Sequence, residues 1–412
     1  MDKVDISVKL FDSSSSLLRK LIESALEGHL CIRGDFPEQF GVVRDGNRLY
    51  LHRNWVVETI LLNHFARLMK AVPQPLDLPD HLVLKSIATQ SLLLVNGGPG
   101  TGKTTAAVQL IRAVPHLRIK IAAPTGKAAE RLGGEATTLH RLLRLSPGRH
   151  RLFEENKIDA DLIIVDEASM VDASLFAHLL AAIPDGARLV LLGDADQLPP
   201  VQGGGVFSDL CALSSLTLHH CHRTQTLQTI YEAARKGDVE PLLPLLEPLP
   251  DDPVSIVANE RDRVLCPLRK GPLGVDALNR AVLQRKGKER APILITGNNP
   301  NLNLYNGTEG VVKGLEVLFP DGRALPLAEL PDHEFAFALS VHKSQGSEYE
   351  EVLCLLPPGS EEFGRKALYT AVTRAKKRVR FLGSRKTLEE MLAKESRQEN
   401  GIRERFTLLQ LS

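Results

Sequence analysis

Gly97-Gly98-Pro99-Gly100-Thr101-Gly102-Lys103-Thr104 follows the apolar run Leu92-Leu93-Leu94-Val95 and opens a helical stretch from Thr104 to Val114. The block fits G-x-x-x-x-G-K-[ST]. Its glycines let backbone N–H groups wrap phosphates, its lysine supplies charge, and its hydroxyl can hold Mg²⁺. A buried strand feeding such a loop, and a helix whose N-terminus adds positive dipole, predict a phosphate-binding α/β fold. Gly97, Gly98, Pro99, Gly100, Thr101, Gly102, Lys103, Thr104 and Thr105 are therefore the candidate nucleotide contacts.

Outward from this loop the rhythm repeats. The apolar runs Ile119 to Ala123, Leu162 to Val165 and Leu189 to Leu192 alternate with helical segments. That pattern predicts a parallel sheet covered on both faces, with its chemistry just past the strand ends. A polar insertion at about 146–159 interrupts it. Beyond Arg223, a helix at Leu227 to Arg235 and a five-proline stretch from Pro241 to Pro253 lead into further strands. These strands, Val264 to Cys266, Glu351 to Leu355 and Val379 to Leu382, predict a second α/β lobe. Between them, Pro292 to Phe337 carries turns at Asn298-Asn299-Pro300-Asn301, Asn306-Gly307 and Asp321-Gly322, the mark of a small inserted β-barrel.

Residues 1–75 read as a short N-terminal α+β unit. The serines Ser13 to Ser16 cap a helix ending at Gly28, a hairpin turns at Asp45-Gly46, and a helix buries Val56, Val57, Ile60, Leu61, Phe65 and Leu68. A proline-rich stretch, Val72 to Pro79, follows. The expected organisation is thus an N-terminal unit at 1–75, a first lobe at 76–220 and a second lobe at 221–412 with an insert at about 292–337.

The chain of 412 residues is 25% charged and 43% hydrophobic, the balance of an ordinary globular protein long enough for several cores. A net charge of +1 gives no global pull toward nucleic acid, so any phosphate-binding surface must be local. Five scattered cysteines without a C-x-x-C pair fit reduced thiols rather than a disulfide framework. No run approaches the length of a membrane span and the start lacks a signal-peptide pattern, so the expected location is cytoplasmic.

Leu162 to Val165 delivers Asp166-Glu167-Ala168-Ser169 at a strand end. Asp166, with Thr104, can hold Mg²⁺, and Glu167 can deprotonate an attacking water. Gly193-Asp194-Ala195-Asp196-Gln197 repeats this logic, with Gln197 placed to feel a γ-phosphate. Arg223 and Arg374 are candidates for neutralising the leaving phosphates from the opposite lobe, and Arg374 lies in a basic tract in which nine of 22 residues, Arg365 to Lys386, are Lys or Arg. Thr125 and Lys127, Thr138 and His140, and His342, Lys343 and Ser344 combine hydroxyls and cations suited to gripping backbone phosphates without reading bases. His219-His220-Cys221-His222 lacks a common zinc spacing and reads as a strand joining the lobes, while Trp55 reads as core.

The segments Gly97 to Thr105, Ala123 to Ala129, Asp166 to Met170, Gly193 to Leu198, Val341 to Glu348 and Tyr369 to Ala375 resemble, in order, the motifs of RecD-type superfamily 1 helicases over about 90 to 385. The resemblance implies two RecA-like lobes and ATP-driven 5′ to 3′ movement on single-stranded DNA. It also implies a pin at Pro147 to Lys157 that meets duplex junctions. The family's best-known member is the alpha subunit of exodeoxyribonuclease V, so the implied partners are the beta and gamma subunits of that enzyme, in double-strand-break repair and recombination. Three departures stand out. The N-terminal part is shorter than usual, the family's adenine-recognising glutamine is missing, its place being near Asp80-His81, and the family's Asn-Gly-Asp is Asn306-Gly307-Thr308. The first two motivate another reading, a non-catalytic assembly subunit with a vestigial nucleotide site; the complete set of motif residues opposes it.

Overall fold

The computed structural model describes residues 32–33, 42–45, 48–80, 82–133, 136–145, 156–200, 204–257, 262–395 and 400–411. The serine-capped helix expected up to Gly28, the turn residue Gly46, His81 and residues 146–155 of the expected pin lie outside them.

Six parallel strands form the first sheet, in the order 137–138, 119–123, 162–165, 188–193, 92–97 and 216–218. Every residue of 162–165 and 188–193 is buried, which is why Leu162 to Val165 and Leu189 to Leu192 read as unbroken apolar runs. Successive side chains alternate between two cores. Leu94, Ile163, Val165, Leu189 and Leu191 face one, with Phe176 and Phe207 from the helices Ala173–Ala182 and Val206–Leu213. Leu93, Val95, Ile164, Val190 and Leu192 face the other, with Ile87 and Leu110 from the helices Leu82–Thr89 and Lys103–Ala113.

The second sheet is also parallel, in the order 246–247, 375–383, 349–356, 262–266 and 338–340. The helices Gln225–Lys236, Gly364–Val372 and Arg385–Ala393 cover one face and Val275–Lys286 the other. The insert is a five-stranded antiparallel sheet, in the order 324–326, 316–318, 309–313, 292–295 and 333–335, around its own core of Ile293, Ile295, Val312, Val317 and Phe319. Its turns use Gly307 and Gly322 at φ of 95° and 86°, conformations that a side chain would strain.

The helix His52–Lys70 buries Leu61, Leu62, Phe65 and Leu68 in the first lobe's core. The last helix, Ile402–Leu411, returns to that same core rather than staying on the second sheet. Its Phe406 ring meets Phe65 edge-on at 5.3 Å, and Asn400 and Arg403 reach Asp209 at 2.7 and 2.8 Å. Among the described residues no helix is long and apolar enough to cross a membrane.

Candidate nucleotide site and nucleic-acid interface

The strand Leu92–Gly97 ends in a loop whose Gly100 and Gly102 take φ of 72° and 83°, left-handed values that allow the chain to curl before the helix at Lys103. Thr101 Oγ1 donates to Gly98 O at 2.9 Å and holds the curl closed. Lys103 Nζ lies inside it and donates to Gly98 O at 2.9 Å and to Gly97 O. An ammonium whose hydrogen bonds among the described residues all go to loop carbonyls, within a ring of glycines, is arranged for phosphate oxygens.

Two acids stand beside this loop at the ends of neighbouring strands. Thr104 Oγ1 donates to Asp166 Oδ2 at 3.0 Å, bringing together the two groups expected to hold Mg²⁺. Burial pushes the Asp166 carboxyl up, and the adjacent Glu167 carboxylate adds to the effect. A hydroxyl and a carboxylate in contact make a hard oxygen pair suited to Mg²⁺. Glu167 takes φ of 52°, unusual for a residue with a side chain, and has Arg131 Nη1 4.0 Å from its carboxylate.

Asp194 is buried just past the end of the next strand, and burial pushes its carboxyl up. Gln197 Nε2 and Tyr369 Oη both donate to Asp194 Oδ2, each at 3.0 Å. The tyrosine comes from the second lobe, and its hydroxyl would be 3.1 Å from a Cβ placed on Gly98. Leu198 N donates to Thr370 Oγ1 at 2.7 Å and Gln345 Nε2 to Leu198 O at 2.8 Å, so this loop is stitched to two motifs of the other lobe. Gln197 Oε1 is buried and accepts no hydrogen bond among the described residues. Such an orphan next to a phosphate loop is an acceptor open to an ordered water.

Arg223 lies against the loop, its Cγ 3.0 Å from where a Cβ on Gly100 would stand. It is held there by Glu348 and by Ala375 O, the latter at 3.0 Å. Among the described residues Arg374 donates to Thr370 O, Ser347 O and Thr373 Oγ1, all neutral oxygens, and not to the loop, and it is only 3% exposed. The expected strand through His219 to His222 stops at Leu218. There the chain turns over the phosphate loop, with His222 N donating to Gly100 O at 2.9 Å and Cys221 Sγ to Pro99 O at 3.2 Å.

The residues expected at DNA fare differently. Thr125 and Thr138 cap short helices, accepting from Ala128 N and Arg141 N. His140 is exposed and His342 partly buried, with burial pushing its imidazole down. Lys127 and Lys343 are each about a quarter to a third exposed. Ser344 differs from these in its setting. It is fully buried and donates to Val341 O at 2.7 Å, so in this conformation it closes a turn instead of facing a ligand. Sequence reasoning passed over Tyr369 and Glu348, which stand within quoted motifs but reveal their partners only in three dimensions.

The first lobe matches the family described as AAA domain over residues 81–203, and the second matches the UvrD-like helicase C-terminal domain over 335–382. The chain is 34% identical to the RecBCD enzyme subunit RecD of Mycolicibacterium smegmatis, covering 88% of this chain and 82% of that protein. It is 36% identical to the ATP-dependent RecD2 DNA helicase of Deinococcus radiodurans over 73% of this chain and 48% of that one. In fold it is similar to the Pif1 helicase of Candida albicans, with a TM-score of 0.53 at 19% identity over 86% of this chain and 98% of that chain.

Proposed function

This chain belongs to the RecD family and is an ATP-dependent DNA helicase, and from that premise we propose that it moves 5′ to 3′ on single-stranded DNA as the motor subunit of a helicase-nuclease in double-strand-break repair. Its companions in this reading are the beta and gamma subunits of exodeoxyribonuclease V. The carrying observation is that one loop gathers Lys103, the Thr104 and Asp166 pair, and, through Tyr369 and Asp194, the second lobe.

In hydrolysis, Lys103 and the loop N–H groups bind the phosphates. Glu167 accepts the proton of the water whose oxygen bonds to the γ-phosphorus as the β,γ-bridging bond breaks. Gln197 Oε1 orients that water. Arg223 and Arg374, the latter a buried cation with neutral partners, meet the charge that moves onto the leaving phosphate. Thr104 and Asp166 would hold Mg²⁺, which when bound neutralises charge on the triphosphate. Loss of the γ-phosphate frees the Gln197 loop, and its bonds to Thr370 and Gln345 carry that change into the second lobe.

The test is ATP hydrolysis by the purified chain with and without long single-stranded DNA, followed by unwinding of 5′-tailed and 3′-tailed duplexes. Lys103→Ala is expected to abolish turnover with the fold intact. Unchanged turnover in that variant, or unwinding confined to 3′ tails, refutes the corresponding part of the reading. Weak turnover that DNA does not stimulate would favour an assembly role.

A further inference from the structure

Two lysines expected at DNA, one from each lobe, are both bound by the inserted antiparallel sheet. Lys127 Nζ is 2.8 Å from Glu309 Oε1, and Lys343 Nζ is 2.7 Å from Glu334 Oε1. Strand register explains the coincidence. Leu294, on the strand Pro292–Ile295 that lies between 309–313 and 333–335, is directly opposite Glu309 on one side and Glu334 on the other. Directly opposed residues share a face of a sheet, so Glu309, Leu294 and Glu334 form one row across three strands, roughly 10 Å wide at about 4.8 Å per strand. Leu294 is buried in the second lobe's core, and its two flanking carboxylates reach out to the two lysines.

The insert also presses closely on the first lobe. The Tyr305 Cβ stands only 2.7 Å from where a Cβ on Gly126 would be, immediately before Lys127. Glu309 keeps further partners, Arg263 Nη2 at 2.5 Å and Tyr349 Oη at 2.9 Å, so it stays satisfied when Lys127 leaves. Burial pushes the Glu309 carboxyl up, but Arg263 and Lys127 outweigh it and hold it below its ordinary value, keeping it anionic at neutral pH. A carboxylate and a backbone phosphate offer a lysine the same thing, an anionic oxygen acceptor.

We infer that the inserted sheet is a built-in competitor for single-stranded DNA: Glu309 and Glu334 hold, in the DNA-free protein, the cations that a phosphate backbone takes up. This rests on the reading of Lys127 and Lys343 as DNA contacts. The row lowers affinity at both lobes together. A lysine released by one phosphate returns to a carboxylate, not to bulk water, and the exchange is nearly balanced at each step along a strand.

The experiment is fluorescence anisotropy with a labelled oligothymidylate at fixed salt, on the full chain and on Glu334→Gln, Lys343→Ala and the double variant. Glu334→Gln is expected to tighten binding about two- to five-fold, the range of a partly exposed ion pair. Lys343→Ala is expected to weaken binding, and in its background the Glu334 substitution is expected to have no further effect. Glu309→Gln and Lys127→Ala are expected to repeat the pattern at the first lobe. If Lys343→Ala leaves affinity unchanged, the DNA-contact reading falls and the inference with it. If Lys343→Ala weakens binding but Glu334→Gln does not tighten it, or its gain survives in the double variant, the competitor role alone is overturned. A thermal melt of Glu334→Gln identical to that of the parent chain excludes a folding cause.

Discussion

Tyr369→Phe removes one oxygen atom and tests whether the lobes communicate through Asp194. The ring is 3% exposed and keeps its packing in the variant, while the hydroxyl's bond of 3.0 Å to a buried carboxylate is lost. Asp194 Oδ2 then retains Gln197 Nε2 as donor, and Oδ1 retains Asp196 N. Depriving a buried acceptor of one donor costs about 1–3 kcal/mol, and that loss enters any equilibrium in which the lobes separate. Taking about 2 kcal/mol, the joined arrangement loses a factor of about 30 against the separated one. With about 2.1 cal/mol/K of unfolding entropy per residue, the melting midpoint falls by roughly 2 °C if the chain melts as one unit. DNA-stimulated ATP turnover is expected to fall about ten-fold or more at limiting ATP, while basal turnover, which also draws on Arg223 and Arg374 of the second lobe, falls by less, since DNA held by both lobes makes the stimulated rate depend more strongly on their joining. Steady-state hydrolysis with and without oligothymidylate, together with a calorimetric scan, gives both numbers. A variant with the parent's stimulation and midpoint refutes this coupling.

Glu167→Gln is expected to lower turnover by about 10²- to 10⁴-fold while a fluorescent ATP analogue still binds, since only the proton acceptor is lost; lost binding would mean that the side chain holds nucleotide instead. Phe406→Ala removes a ring that is 3% exposed and packs on Phe65, and is expected to cost about 3 kcal/mol in urea unfolding; a cost under about 1 kcal/mol would show that the last helix adds little to the first lobe. Burial pushes the Cys211 and Cys266 thiols up to about 12. A raised thiol pKa leaves less thiolate, so at pH 8 both are expected to alkylate about a thousand times more slowly in the native chain than in the unfolded one, gaining roughly ten-fold per pH unit; mass spectrometry of the adducts checks the ratio, and equal rates would contradict the burial argument.

What could be read in advance divides along physical lines. The runs Leu162 to Val165 and Leu189 to Leu192 are evident because a strand covered on both faces is apolar along its length, whereas Arg188, equally buried at the start of its strand, falls outside that pattern. The strands at 137–138, 216–218, 246–247 and 338–340 are two or three residues long and carry no period to detect. The phosphate loop was evident because its chemistry is contiguous. The burial of Ser344 is not legible for the opposite reason, since a hydroxyl beside Lys343 suits a phosphate or a buried turn equally, and its turn hydrogen bond shows only in three dimensions. The last helix was invisible as a first-lobe element, because a helix shows which of its faces is apolar but not where that face will dock.

The lysines carry this furthest. Lys127 and Lys343 are conspicuous as cations, but Glu309 lies 182 positions from one and Glu334 nine from the other, and neither carboxylate stands in a motif. Their role depends on register: a one-residue slip of either flanking strand against Pro292–Ile295 would send its carboxylate to the opposite face, away from both lobes. Leu294 fixes that register by being buried, so an apolar side chain in the second lobe's core determines which charges confront the expected DNA contacts. Substituting Leu294 would therefore disturb electrostatics at both lobes without changing a charge, a coupling that follows from the two-residue period of the strand and from nothing in the composition of the site.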